Sequence, residues 1–161
     1  MDLDAEAMHS AVVDANRGRA HLYLAFLRAM ERRWGRDAAL AVMREAIRSW
    51  GRSQGAALAD GAGNRLEALL DRFIYSPDGG RMFAPEVRRC DGEGLDAQMM
   101  RCPLKEAWQE AGLSPDETAL FCNVASEADH GVLEAAGFSV EIDCWKPGST
   151  GCCTLRIRKT G

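Results

Sequence analysis

Apolar side chains recur along the first third of the chain at helical spacing. Tyr23, Leu27, Met30 and Trp34 fall at i, i+4, i+7 and i+11 and make one apolar stripe, which predicts a helix over residues 4–34 with a break near Gly18. Gly35 is placed to end that helix and Asp37 to cap a second, whose buried face carries Leu40, Met43, Ile47, Trp50 and Leu58. Gly51, Gly55 and Ala56 leave room there for another backbone or a ligand to come close. Glycine inside a helix costs about 1 kcal/mol against alanine, so a packing gain must offset it. Asn64 with Glu67 resembles a capping arrangement, and Leu66, Leu69, Leu70, Phe73 and Ile74 follow at the spacing of a third helix.

The period changes after the loop Ser76-Pro77-Asp78-Gly79-Gly80. Residues 83–90 and 95–102 flank Asp91-Gly92-Glu93-Gly94, the signature of a hairpin. Pro103 opens a short helix with Leu104, Ala107, Trp108 and Ala111, closed by Gly112. Ser114-Pro115-Asp116-Glu117 is a capping box with proline at the first helical position, and helix continues in pieces through Leu120, Phe121, Val124, Val132 and Leu133 to Gly137. Phe138, Val140, Ile142 and Cys144 then alternate with polar residues, Lys146-Pro147-Gly148 breaks the chain, and Cys153, Leu155 and Ile157 alternate again. Two hairpins give antiparallel pairing. The expected fold is therefore α+β: N-terminal helices packed on one face of a roughly four-stranded antiparallel sheet. It forms a single domain over 1–161, with a helical half over 1–76 and a sheet-containing half over 80–161.

Composition narrows the function classes. A net charge of −4 gives no general attraction to nucleic acid or an anionic membrane. Arg156, Arg158 and Lys159 fit a solvated strand face better than a binding site. No run of eighteen apolar residues exists, and the acidic start Met-Asp-Leu-Asp-Ala-Glu is unlike a signal peptide, so a cytoplasmic protein is expected. Six cysteines in that compartment point to metal binding or thiol chemistry rather than a disulfide framework. A small-molecule substrate or ligand is the expected partner, and a homodimer is left open.

The cysteines gather about the last hairpin. Glu141, Cys144 and Cys152 sit across its neck, with Cys122 upstream, and a carboxylate with three thiols can satisfy a tetrahedral zinc-like ion. Against this, Glu141 and Cys144 are three apart, so a regular strand puts them on opposite faces and ligation requires a bulge near Asp143. Cys144 taken alone reads as a buried core residue, and only the combined spacing with Glu141 and Cys152 sets the metal beside that reading. Cys102 follows Arg101 at a helix start, where partial positive charge lowers a thiol pKa, which suits a nucleophile; the plain alternative is a small core residue beneath Trp108. Cys90 has no supporting pattern. Asp129 and His130 are adjacent on a helix and so do not face each other as a dyad. Trp34, Trp50 and Trp108 fit the core, Trp108 also being a candidate substrate contact, and Trp145 beside the turn is the better pocket wall.

Arg101-Cys102-Pro103, Gly112-Leu113 and Cys122-Asn123 together resemble the L-2-amino-thiazoline-4-carboxylic acid hydrolase family, as does the Ala-, Arg- and Gly-rich stretch from Arg44 to Leu58. That resemblance implies a hydrolase of a small cyclic amidine or thiazoline. The family commonly has aspartate three residues after the Cys-Asn cysteine. Here Ala125 stands there, which leaves Glu127 or Asp129 as the acid, and Cys152 and Cys153 compete for the family's last cysteine. The C-terminal third is also similar to the 4-vinyl-reductase domain. That small-molecule-binding module carries a Glu-x-x-Cys-x(7)-Cys zinc pattern matched by Glu141, Cys144 and Cys152, with Cys122 as the earlier ligand. Two functions follow: a hydrolase using Cys102 with Glu127 or Asp129, or a non-catalytic binding module with a structural zinc. A diverged scaffold with neither activity is a third.

Overall fold

The computed structural model describes residues 4–160. Asp4 accepts a hydrogen bond from the Glu6 amide and opens α1, Ala5–Trp34. The helix is unbroken at Gly18. Gly35, at φ 82°, ends α1 and is at the same time the N-cap of α2, Arg36–Ala62, so Asp37 lies inside the first turn rather than capping it. The buried stripe of α1 is Ala20, Leu24 and Leu27, one step round from the expected one, and Trp34 and Trp50 are half exposed instead of in the core. The expected third helix is also not regular: turns over 64–67 lead into a short π-helical segment, Leu70–Ile74. Its apolar residues are buried all the same, with Leu66, Leu69 and Ile74 at most 1% exposed. Burial there comes from a compact wrap of the chain under the sheet, which helical spacing alone does not distinguish from a helix.

The second half follows the expected order. β1 is Pro85–Cys90, β2 Leu95–Met99, α3 Pro103–Glu110, α4 Pro115–Ala125, α5 Glu127–Ala135, β3 Phe138–Asp143 and β4 Thr154–Lys159. The four strands pair antiparallel in the order β1-β2-β4-β3. Asp91 ties the first turn, accepting from the Glu93 and Gly94 amides at 2.8 and 2.9 Å. Ser114 and Glu117 cap α4 reciprocally. Strand β2 stops at Met99, short of 102. Its ladder continues past that point, with the Met99 amide donating to Cys153 O at 2.8 Å and the Cys152 amide to Met99 O at 2.7 Å.

Helix α5 lies along α2 at the glycines singled out in the sequence. A methyl group on Gly51 would collide with the Ala128 carbonyl, and one on Gly55 would lie 2.6 Å from the Val132 carbonyl. Gly131 answers from α5, where a methyl would meet the Arg48 carbonyl. The glycines thus admit a second backbone, and the close contact offsets their helical cost.

Two apolar cores result. One joins Ala20, Leu24, Met43, Ile47, Trp108 and Phe121 of the helices. The other packs Leu58, Leu69, Leu133, Phe138, Leu155 and Ile157 between helices and sheet. Among the described residues no helix is long and apolar enough to cross a membrane.

Candidate functional site

A cavity of about 680 Å³ opens where the two cores meet. Leu58, Ile74 and Leu155 face it from the sheet side, and Leu104, Trp108, Ala128 and the thiols of Cys102, Cys122, Cys152 and Cys153 from the helical side. Asn16, Arg19, Trp50 and Asp129 supply a second, charged end.

The thiol end is built by three segments. Cys102 is the residue before Pro103 and the N-cap of α3. The pairing of Cys152 and Cys153 with Met99 sets both next to that helix start. Cys152 and Cys153 lie 3.8 Å apart, and the Cys144 thiol points at the Cys122 carbonyl, 3.9 Å away. The thiol of Cys102 is held below its ordinary pKa. The chief cause is hydrogen bonding from the Cys152 thiol; the Lys105 and Leu104 amides and the Lys105 ammonium add to it, against burial. Cys152 is correspondingly raised, by Cys102 first and Cys122 next. Cys144 is raised by its contact with Cys153 and by burial. Cys102 is thus shifted toward the thiolate, whereas Cys144, Cys152 and Cys153 are shifted away from it.

At the charged end Asp129 sits on α5. Burial pushes its carboxyl up to about 6, and the nearby Arg19 guanidinium offsets part of that shift. Arg19 donates from one terminal nitrogen to Asn16 Oδ1 at 2.7 Å. Its guanidinium lies 5.9 Å from the Trp50 ring and 6.0 Å from Tyr23. Its Nε is buried without a hydrogen-bond partner.

Cys102, Asp129 and Trp108 therefore share one cavity. Trp108 is fully buried, with its indole N–H donating to Ala20 O at 2.9 Å. Glu127 is not brought there: it is held between helices by Arg48 at 2.7 Å and Arg44 at 3.4 Å. Ala125, where the resemblance expects an acid, does line the cavity, and Asp129 follows one turn later. Trp145 is packed into the helical core under the Lys105 ammonium, 5.5 Å from its ring, and does not border the cavity.

The zinc-like ligand set does not fit this geometry. Strand β3 is regular, without the required bulge, and Glu141 faces solvent opposite Arg156, 3.4 Å from its guanidinium. Cys122 and Cys152 are buried in the helical core. Among the described residues no three His, Cys, Asp or Glu side chains converge on one point as metal ligands.

Arg19 is the residue that sequence reasoning passed over. It stands beside Ala20, Tyr23 and Leu24 on α1, and a charge bordering the stripe that packs on α2 was the available signal.

The family model for L-2-amino-thiazoline-4-carboxylic acid hydrolase matches residues 15–152. No curated protein matches significantly. Among solved structures, the chain is similar to a trafficking protein particle complex subunit 3 from Naegleria fowleri, crystallised covalently bound to palmitic acid. The TM-score is 0.55 at 15% identity, over 91% of this chain and 96% of that one, a likeness of fold.

Proposed function

Because the chain belongs to the L-2-amino-thiazoline-4-carboxylic acid hydrolase family, we propose that it opens the ring of a small 2-aminothiazoline or related cyclic amidine, with Cys102 as nucleophile and Asp129 as base. The observation that carries this is the meeting of an ionisable thiol at a helix start and a half-buried carboxyl on the walls of one cavity. The Cys102 thiolate adds to the carbon of the protonated amidine, and the ring C–S bond breaks as the amidinium proton passes to the departing sulfur, releasing the substrate's own thiol. The carbon then remains on Cys102 as an isothiourea. Water adds to it, Asp129 accepts a proton from that water, and the bond to Cys102 breaks, leaving a ureido product and the free thiolate. Buried apolar walls exclude bulk water from the first step.

The test is steady-state turnover of L-2-aminothiazoline-4-carboxylate. Cys102→Ser and Asp129→Asn each lower kcat, Asp129→Asn on the order of 100-fold or more. An isothiourea adduct on Cys102, trapped by acid quench and located by mass spectrometry, distinguishes covalent catalysis from direct attack by water. Unchanged turnover in Cys102→Ser would remove the nucleophile from the mechanism.

A second function has one observation in its favour. The cavity is mostly apolar and holds a reactive thiol, and the structural neighbour carries a covalently bound fatty acid. A binding module that keeps an acyl group on Cys102 fits the same walls. Intact mass measurement of the purified protein, with and without hydroxylamine, separates the two: a thioester adduct with no thiazoline turnover favours the binding module.

A further inference from the structure

The charged end of the cavity carries an inference that rests on the hydrolase function and assigns it a binding residue. We propose that Arg19 is the carboxylate-binding residue of the cavity, the side chain that discriminates a carboxylated ring from the bare ring.

Four observations support this. Arg19 lines the cavity, and its Nε is buried with nothing to donate to. Among the described residues no carboxylate lies within 4.0 Å of its guanidinium, and a half-buried cation without such a partner is costly. The guanidinium is nonetheless held in place. Asn16 accepts from one terminal nitrogen while its own amide donates to the Val12 carbonyl at 2.8 Å and meets Met82 Sδ at 3.1 Å, and the Tyr23 and Trp50 rings flank the group. Lastly, Asp129 is close enough for the two charges to influence one another, yet the pair does not close into a salt bridge.

A cation and an anion held apart on the walls of one cavity match a ligand with the opposite charges at a similar separation. The carboxylate would take the free donor edge of Arg19 in a charge-assisted hydrogen bond. The amidinium would face Asp129, whose carboxylate keeps the amidine protonated and so keeps its central carbon more electrophilic than that of the neutral amidine. Arg156, outside the cavity on β4 and paired with the exposed Glu141, serves as the control.

The experiment compares L-2-aminothiazoline-4-carboxylate with 2-aminothiazoline, the same ring without the carboxylate. Arg19→Gln is expected to raise KM for the first about 10- to 100-fold, the range of a lost charged hydrogen bond. It should leave kcat within a few-fold and KM for the second compound unchanged. Arg19→Lys should recover part of the loss, and Arg156→Gln should change neither constant. Equal effects of Arg19→Gln on both compounds would overturn the assignment. If the wild-type protein turns over neither compound, the hydrolase function fails, and calorimetric binding of the same two compounds decides the present point. Preference for the carboxylate that disappears in Arg19→Gln sustains it, and the absence of any preference in the wild-type protein overturns it.

Discussion

Asp129 is caught between two demands. In the folded chain its carboxyl titrates at about 6 rather than 3.8, because burial disfavours the anion. The sign for stability follows from linkage. The folded state binds the proton more tightly than the unfolded state, so this group's contribution is fully present below pH 3.8 and is lost as pH rises through about 6. Asp129→Asn, which cannot ionise, is therefore expected to stabilise the protein at pH 7 by about 1–2 kcal/mol while abolishing most turnover. Urea denaturation of the two proteins at pH 4 and pH 7 measures it: the difference should be large at pH 7 and small at pH 4. Activity should run the opposite way, with kcat/KM falling as pH drops below about 6, and the acid limb absent in Asp129→Asn. Little of this was legible in the sequence. Asp129, beside Glu127, and Cys102 could be named as candidates because the resemblance leaves an acid missing at Ala125 and because Cys102 follows Arg101 at a helix start. The buried Nε of Arg19 could not, since it depends on Met82 and Trp50 meeting α1 from segments far along the chain.

At the scale of elements, spacing worked where a periodic face meets a regular partner. The α2 glycines leave room for another backbone or a ligand, and it is a backbone, that of α5, that fills it, fastened at its edge by Arg48 to Glu127 and Glu134. Gly51→Ala and Gly131→Ala are expected to destabilise by several kcal/mol, because each methyl meets a carbonyl that cannot yield without moving a helix. Gly18→Ala should do the reverse. Its helix is straight there and nothing lies within 4 Å, so up to about 1 kcal/mol of stabilisation is expected. Chemical denaturation of the three variants gives both signs. Spacing misled at residues 64–74, where burial of Leu66, Leu69 and Ile74 at helical intervals comes from irregular turns. It also misled at Glu141, where ligand spacing along the chain coincided with a regular strand that turns the carboxylate outward.

For the whole molecule, the cavity lies at the seam between two cores, so whatever fills it bridges them. A ligand at 100 times its Kd adds about 2.7 kcal/mol to the folded state. Saturating L-2-aminothiazoline-4-carboxylate should accordingly raise the melting temperature of Cys102→Ala protein, in which turnover is blocked, and the shift should be smaller in the Arg19→Gln background. Scanning calorimetry of the two proteins, with and without the compound, tests this.

The two hydrogen bonds between Met99 and the Cys152-Cys153 pair have a consequence for synthesis. Cys102 leaves the ribosome well before Cys152 does, and until the last hairpin docks beside Met99 no thiol donates to it. On the proposed mechanism, completion of the sheet brings the Cys152 thiol to Cys102 and adds the last of the contacts that favour its thiolate, so an unfinished copy of the protein carries a less acidic thiol there than the folded one.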